Sequence, residues 1–522
     1  MEGGIATEIE LKLAARRRDL PALRRALERR AASGPPGRAR LVSTYFDTPD
    51  RRLASQGLAL RVRASNGKFV QTVKSAQGDG PSDGPFGMVR GEWEDAVRGP
   101  APDREATATG HFIGGDIAGR LVPLFRTEIV RRRVALAPAP DTRIEAAIDR
   151  GRICAPARDT VEPVSELELE LKSGPNSALY DVALDLLTVA PLRLDWRSKA
   201  ERGDALAAAA TVVFAPAAPA AVHATEVRLE PGLSGDVALR RIGIACLDQL
   251  RRNEPAVLAG DPEGLHQMRV AVRRLRAILS AFGKLLPAGP RREASSELRW
   301  LSDALGRARN LDVFAQTLLP PVRRALTRAE GIALLGGAVE GLRLAAYAKA
   351  KQAVLSPRYT WLLLRLLRWF DSCGWQEGAG SPALRQPIEG IAREVLDRRR
   401  KVAQRRSRGF AKQSAPERHR LRIALKKLRY AAELLAALYD PGEVEGFVRR
   451  LKRLQDDLGD ANDLRVGRDI VAELVRSRRR PGAIAAAGDA VLEWHEHRLA
   501  NHAPRVRLHL DGLLAAPPFW AG

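Results

Sequence analysis

The sequence predicts an α+β protein in two parts, a β-rich N-terminal half joined to an all-α C-terminal half. Three observations carry this prediction. Residues 5–200 are dominated by short segments of period-2 alternation, separated by Gly, Pro and Asp clusters, as in antiparallel strands that bury one face. From about Ser234 onward the period is helical, in long Leu/Ala/Arg segments. Between them lies an Ala/Pro stretch, 206–230, with the composition of a linker. The expected organisation is therefore 1–205, a linker at 206–230, and 231–520.

In the first part the strand candidates are TEIELKL, LALRVRA, KFVQTVKS, MVRGEWED, TEIVRRRVAL, RIEAAIDRG and SELELELK. Helices are expected over Asp19–Ala32 and near Ser177–Val189. At 522 residues and 45% hydrophobic, the chain can support about two to four globular domains. Three cysteines, Cys154, Cys246 and Cys373, stand far apart and form no CxxC pair, which argues for a reducing compartment and against a disulfide framework or zinc site. The opening MEGGIATEIELK lacks the basic-then-apolar pattern of a signal peptide. The apolar stretch Ala205–Val222 is alanine broken by proline and is not expected to span a membrane. A cytoplasmic location is expected.

The net charge of +24 is unevenly placed. Residues 1–205 hold 33 basic and 29 acidic side chains, whereas residues 206–522 hold 53 and 33. A strongly basic half points to a polyanionic partner or to a merely solvated arginine-rich surface. Aromatics are only 5%, and neither an RNA-recognition motif nor a helix-turn-helix is evident. Few stacking platforms weigh against nucleic acid without excluding it.

Residues two apart share a strand face. Glu8, Glu10 and Lys12 share one; so do Arg61 and Arg63, Thr72 and Lys74, and Arg90, Glu92 and Glu94. Further along, Arg131 goes with Arg133, Glu145 with Asp149, and Glu166 with Glu168, Glu170 and Lys172. Each strand alone reads as half-buried with its charged face in water. Seven such strands, many carrying acid and base together, suggest charged faces matched to one another. Turned inward, they would offer carboxylates for Mg²⁺ or Mn²⁺ and basic groups for phosphate. Periodicity does not say which face is inside.

EIELK at 8–12 resembles the ExExK signature of the CYTH, or triphosphate tunnel metalloenzyme, family. YFDT (45–48), LALRVR (58–63), QTVK (71–74), RGEWE (90–94), ELELELK (166–172) and SKAERG (198–203) follow in the family's order. The resemblance implies an eight-stranded antiparallel barrel with flanking helices and a polar tunnel. It also implies metal-dependent hydrolysis of inorganic triphosphate, with nucleotide or thiamine triphosphatase or adenylyl cyclase activity as alternatives. Glu8, Glu10, Glu168 and Glu170 would then hold Mg²⁺ or Mn²⁺. Lys12, Arg61, Arg63, Lys74, Arg90, Arg131, Arg133 and Lys199 would bind the triphosphate, and Glu92 or Glu94 could accept the proton of the attacking water.

The helical half repeats itself. HQMRVAVRRLRAILSAF (266–282) matches HRLRIALKKLRYAAELL (419–435), and LRWLSDALGRARNL (298–311) matches LKRLQDDLGDANDL (451–464), both at an offset of 153. Two duplicated helical bundles are expected. On the first helix Leu265, Met268, Val272, Leu275 and Leu279 form the core stripe. His266, Arg269, Arg273 and Arg276 form a second stripe roughly 110° away, beside the core. The second copy repeats it with His419, Arg422, Lys426 and Arg429. Long basic side chains at a bundle edge would explain one such row; its recurrence favours a site for spaced phosphates.

HxxR…RRLR, HRLR…KKLRY and the paired LG-containing segments resemble the CHAD, or conserved-histidine α-helical, domain over about 231–515. That resemblance implies inorganic polyphosphate as a partner. A non-catalytic polyphosphate- or nucleic-acid-binding protein is the remaining alternative.

Overall fold

The computed structural model describes residues 6–32, 36–75, 89–155, 159–208, 219–325, 330–376, 381–477, 482–499 and 502–521. They form two compact units, Met1–Ala217 with Leu355–Gly374, and Ala218–Val354 with Trp375–Gly522.

The first unit is built on an antiparallel sheet: β1 (Ala6–Ala15), β2 (Gly37–Asp47), β3 (Leu58–Ser65), β4 (Lys68–Ser75), β5 (Val89–Val97), β6 (Val122–Ala139), β7 (Thr142–Ala155), β8 (Thr160–Ser173) and β9 (Leu192–Leu194). The order is β5-β4-β3-β2-β6-β7-β8-β1-β9. The expected eight strands are corrected to nine. The additional one, β9, is three residues long and pairs with the end of β1, too short to show an alternation. Strand β1 also pairs with two partners along its length, with β5 over Ala6–Ile9 and with β8 over Ile9–Ala14.

The period-2 pattern is realised by burial of the apolar set, with Leu11, Val62, Val73, Leu167 and Leu169 at 3% exposure or less. Four helices accompany the sheet: α1 (Leu20–Glu28), α2 (Arg52–Ser55), α3 (Ser177–Leu187) and α4 (Lys199–Ala208). Helix α1 buries Leu20, Leu23 and Leu27. Helix α4 packs against β6 and β7, with Gly203 set against the Phe125 ring so closely that a Cβ would lie 2.0 Å from it. The helices expected at Asp19–Ala32 and Ser177–Val189 are thus present within a few residues at each end.

The second unit is helical: α5 (Gly235–Arg252), α6 (Glu254–Ala259), α7 (Pro262–Ala281), α8 (Ala288–Val313), α9 (Leu319–Ala325) and α10 (Glu330–Val354). Next comes α11 (Pro357–Asp371), which belongs to the first unit, where it packs on α3. The second unit resumes with α12 (Ile388–Ser407), α13 (Ala415–Leu434), α14 (Pro441–Arg476), α15 (Gly482–Leu499) and α16 (His502–Ala515).

The 153-residue offset reappears element by element. It carries the first residue of α5 to that of α12, both ends of α7 to both ends of α13, and the start of α8 to that of α14. The starts of α7 and α13 show why. Asp261 and Ser414 are N-caps followed by Pro at the first turn, with Asp261 accepting from the Gly264 amide and Ser414 in a capping box with Glu417, arrangements worth about 1 kcal/mol each. The copies do not stand as two separate bundles, because α7 packs on α13 and α10 on α15 within one unit. The predicted stripe Leu265, Met268, Val272, Leu275 and Leu279 is buried to 1% exposure or less.

Helix α10 is long and apolar enough to cross a membrane over Gly331–Val354. In this structure it packs against α8 and α15.

Candidate functional site: a charged tunnel and a basic helical groove

The sheet surrounds a cavity of about 600 Å³, lined by residues from β1 through β8 and from α4. The lining settles which face is inside. Glu8, Glu10, Lys12, Arg61, Arg63, Lys74, Glu92 and Glu94 all reach the cavity. So do Arg131, Arg133, Glu168, Glu170 and Lys199. The expected substrate, metal and acid–base residues therefore share one space. Arg90 alone cannot be placed in it: its backbone lies opposite Glu8 on β5, and its side chain is outside the described residues.

Cross-strand register brings the charges together. Glu10 faces Glu170 and Lys12 faces Glu168 across β1 and β8, while Asp149 faces Glu166 across β7 and β8. Lys12 pairs with Glu10 at 2.6 Å. Lys74 holds Glu8 and lies 3.1 Å from Glu92, which in turn is 3.4 Å from Arg61. Glu94 accepts from Thr72 Oγ1 at 2.9 Å and is the most open of these acids, its side chain 48% exposed.

Arg131 lines the cavity and is paired within it. It grips Asp149 through two bonds, at 2.8 and 2.7 Å, and also bonds Glu168. Lys199 is buried among Asp149, Glu166 and Glu168, at 2.7, 2.5 and 2.8 Å. These two cations hold a carboxylate frame rather than presenting free charge to a ligand. Burial opposes ionisation of Glu168, yet Lys199, Arg131 and Lys12 hold its pKa well below the usual carboxylate range. Glu8 goes the other way, raised by burial and by Glu10 and Glu92 against the pull of Lys74.

Arg63 is the exception among the tunnel cations. Its Nε is buried without a hydrogen-bond partner, and it makes no ion pair with any described residue. The neighbouring Arg61, burial and Arg131 push its pKa down to about 10. The Arg61 Nε is likewise unpartnered. Leaving a buried donor unsatisfied costs about 1–3 kcal/mol, which an anion in the cavity would offset.

Among the described residues, the carboxylates whose ligand atoms lie within 4.8 Å of one another are Asp149, Glu166 and Glu168. Only Glu168 belongs to the set expected to hold the metal. Asp149 and Glu166 were visible in the sequence as members of charged faces, but their convergence with Lys199 is a tertiary event. Tyr45 was seen only inside YFDT. It is buried, and although burial pushes its hydroxyl pKa up, hydrogen bonding and charge from Arg61 bring it below its ordinary value.

In the helical unit the structure brings together His266, Arg269 and Arg273 of the first copy with Arg422 and Lys426 of the second. The bridge is a hydrogen bond from Arg273 Nε to the Tyr430 hydroxyl at 2.8 Å, between α7 and α13. Arg309, which stands where the second copy has Asn462, joins the cluster, acting on both His266 and Arg269.

Burial, Arg309 and Arg273 push the His266 pKa down to about 4. Burial, Arg422, Arg273 and Arg429 push Lys426 down to about 7. His266 Nδ1, Arg269 Nε and Arg422 Nε are all buried without hydrogen-bond partners. Of the remaining expected members, Arg429 acts on Lys426 while bonded to Gln455 and Glu433, Arg276 acts on Lys427 instead, and His419 is exposed.

A sheet enclosing paired acids and bases, followed by a helical unit with an internal repeat, defines a protein of two domain families. Residues 6–203 match the CYTH domain and residues 241–472 match the CHAD domain. The chain belongs to the proteins that carry a CYTH domain followed by a CHAD domain. It is similar to the inorganic triphosphatase of Haemophilus influenzae, at 31% identity over 170 residues, which is 31% of this chain and 45% of that protein. The match thus spans under half of that relative. The crystal structure of the CHAD domain from the plant Ricinus communis is similar at 31% identity with a TM-score of 0.51, covering 57% of this chain and 98% of that one. PptA from Streptomyces chartreusis is similar at 19% identity, TM-score 0.39, over 55% of this chain and 100% of that one.

Proposed function

We propose that the tunnel hydrolyses inorganic triphosphate with the help of a divalent metal ion, and that the helical domain binds inorganic polyphosphate. The observation that carries the first part is the unpartnered Arg63 guanidinium, with Arg61 Nε beside it, in a cavity otherwise crowded with ion pairs. Similarity to an inorganic triphosphatase supports the same reading. Among the described residues the one aromatic side chain lining the cavity, Tyr45, is already stacked on Phe125 with ring centroids 4.5 Å apart, so none of them offers a free ring to an adenine or thiazolium group.

In this mechanism Lys12, Arg61, Arg63, Lys74, Arg90 and Arg133 hold the phosphate oxygens, while Arg131 and Lys199 keep the carboxylate frame in place. The donor set suits Mg²⁺ or Mn²⁺, since hard cations prefer carboxylate oxygens. Because Lys199 already occupies the space among Asp149, Glu166 and Glu168, the residues that would hold the ion are Glu8, Glu10, Glu170 and Glu168. Such an ion neutralises phosphate charge. Water attacks a terminal phosphorus, the bridging P–O bond breaks, and orthophosphate and pyrophosphate leave. Glu94 is the better acceptor of the water's proton. Glu92 is pinned by Lys74 and Arg61, which outweigh burial and lower its pKa.

Glu8→Ala should abolish metal-dependent phosphate release while circular dichroism and melting show a folded protein. Full activity in that variant would remove Glu8 from the metal site.

The second part rests on the orphaned donors His266 Nδ1, Arg269 Nε and Arg422 Nε in one cluster. It is tested by titrating the full chain with long-chain polyphosphate against duplex DNA at several salt concentrations. Equal affinities with equal salt slopes would argue against a dedicated polyphosphate site.

A further inference from the structure

The outer face of the same sheet carries a second groove, of about 930 Å³, that the tunnel chemistry does not use. Apolar residues of this outer face are covered by α1 at Leu20, Leu23 and Leu27. Beside α1, on β2, β6 and β7, the outward positions are instead Arg38, Arg40, Arg132, Arg150 and Arg152. Arg17 and Arg24, from the turn into α1 and from α1 itself, complete the lining.

The charge is unbalanced. Glu128 is the one acid in the lining, and Arg152 and Arg126 already hold it, at 2.8 Å and 2.5 Å. Arg17, Arg38, Arg40, Arg132 and Arg150 make no ion pair or side-chain hydrogen bond with any described residue. Arg24 Nε is buried without a hydrogen-bond partner, its nearest acid being Glu28 of the same helix at 3.7 Å. Register adds to the cost, because Arg38 and Arg132 stand directly opposite one another across β2 and β6. Like charges at opposed positions destabilise a ladder. A solvated arginine face has no need of that pairing, of an orphaned buried donor, or of a concave shape.

We propose that this groove is a binding site for a chain of phosphates, separate from the tunnel, on the outside of the CYTH domain. Guanidinium groups match phosphate oxygens in paired N–H···O geometry. Among the described residues no Phe, Tyr or Trp lines the groove, so they offer no stacking platform of the kind that single-stranded nucleic acid uses. The choice of inorganic polyphosphate over another polyanion rests on the reading that this protein handles phosphate chains.

The test is arginine modification of the full chain with phenylglyoxal, read residue by residue by mass spectrometry, with and without saturating long-chain polyphosphate. The site requires at least fivefold protection at Arg38, Arg132 and Arg150. Protection confined to Arg269, Arg273 and Arg422 would overturn it and leave the helical reading intact.

A triple variant, Arg38→Ala with Arg132→Ala and Arg150→Ala, supplies the second arm. It should bind polyphosphate several-fold more weakly, with a shallower salt dependence. It should also melt no lower than the parent and hydrolyse triphosphate at the parental rate. Unchanged binding, or a larger loss for duplex DNA or for phosphatidylglycerol vesicles than for polyphosphate, would contradict the proposal. Absence of hydrolysis in the parent itself would count against the tunnel reading alone.

Discussion

The tunnel and the helical groove both concentrate positive charge, but they handle it in opposite ways. In the tunnel nearly every cation has a carboxylate partner: Lys12 with Glu10, Lys74 with Glu8, Arg131 with Asp149, Lys199 with three acids at once. In the groove the cations face each other, and their acidity is raised by burial and mutual repulsion. A site of matched pairs can reorganise around a small substrate together with a metal ion. A site of unmatched cations waits for the anion itself. The difference predicts which substitutions damage the fold and which damage only function.

The largest effect is expected at Arg63. With no fold partner among the described residues, Arg63→Ala should lower kcat/KM for triphosphate at least 100-fold and leave the melting temperature unchanged. Arg131→Ala should behave otherwise, losing activity and also about 3 kcal/mol of stability, because it breaks a buried pair and leaves Lys199 to balance Asp149 together with Glu166 and Glu168. Denaturant melts of the two variants side by side would erase the comparison if both lost stability equally.

Next in size, Arg269→Ala with Arg422→Ala should weaken long-polyphosphate binding at least tenfold at 0.1 M salt while triphosphate hydrolysis continues at the parental rate. Isothermal titration and phosphate release on the same preparation separate the two outcomes.

A smaller effect concerns pH. Lys426 has its pKa depressed to about 7 from an ordinary 10.5, so between those values the unfolded chain binds more protons than the folded one. Stability contributed by this site therefore rises with pH through that window. A bound polyanion reverses the shift, so polyphosphate should bind more tightly at pH 6.5 than at pH 8.5, with proton uptake. Lys426→Met should flatten both dependences; a wild-type affinity independent of pH would contradict the assignment.

The sequence was most legible where a period converts directly into a face. Alternation placed Glu8, Glu10 and Lys12 together, and helical spacing placed His266, Arg269 and Arg273 beside a core stripe that is buried as expected. It was least legible where partners meet across the fold. Lys199 sits on a helix, yet its ammonium lies among three carboxylates from β7 and β8. Nothing local marks Asp149 as the anchor of Arg131. Arg276 and Arg429 continue their rows in sequence, but Arg276 acts on Lys427 and Arg429 is bonded to Gln455 and Glu433, partners that the spacing of the rows does not reveal. The outer arginines of β2, β6 and β7 carry no local mark, because only the register sets Arg38 against Arg132.

The central claim is that the tunnel cleaves inorganic triphosphate. Phosphate release by the purified full chain with Mg²⁺ or Mn²⁺ tests it most directly, comparing triphosphate, ATP, thiamine triphosphate and long polyphosphate. The account predicts metal-dependent release that is fastest from triphosphate and abolished by Arg63→Ala. Release from none of the four, or equal release from the Arg63→Ala variant, would contradict it.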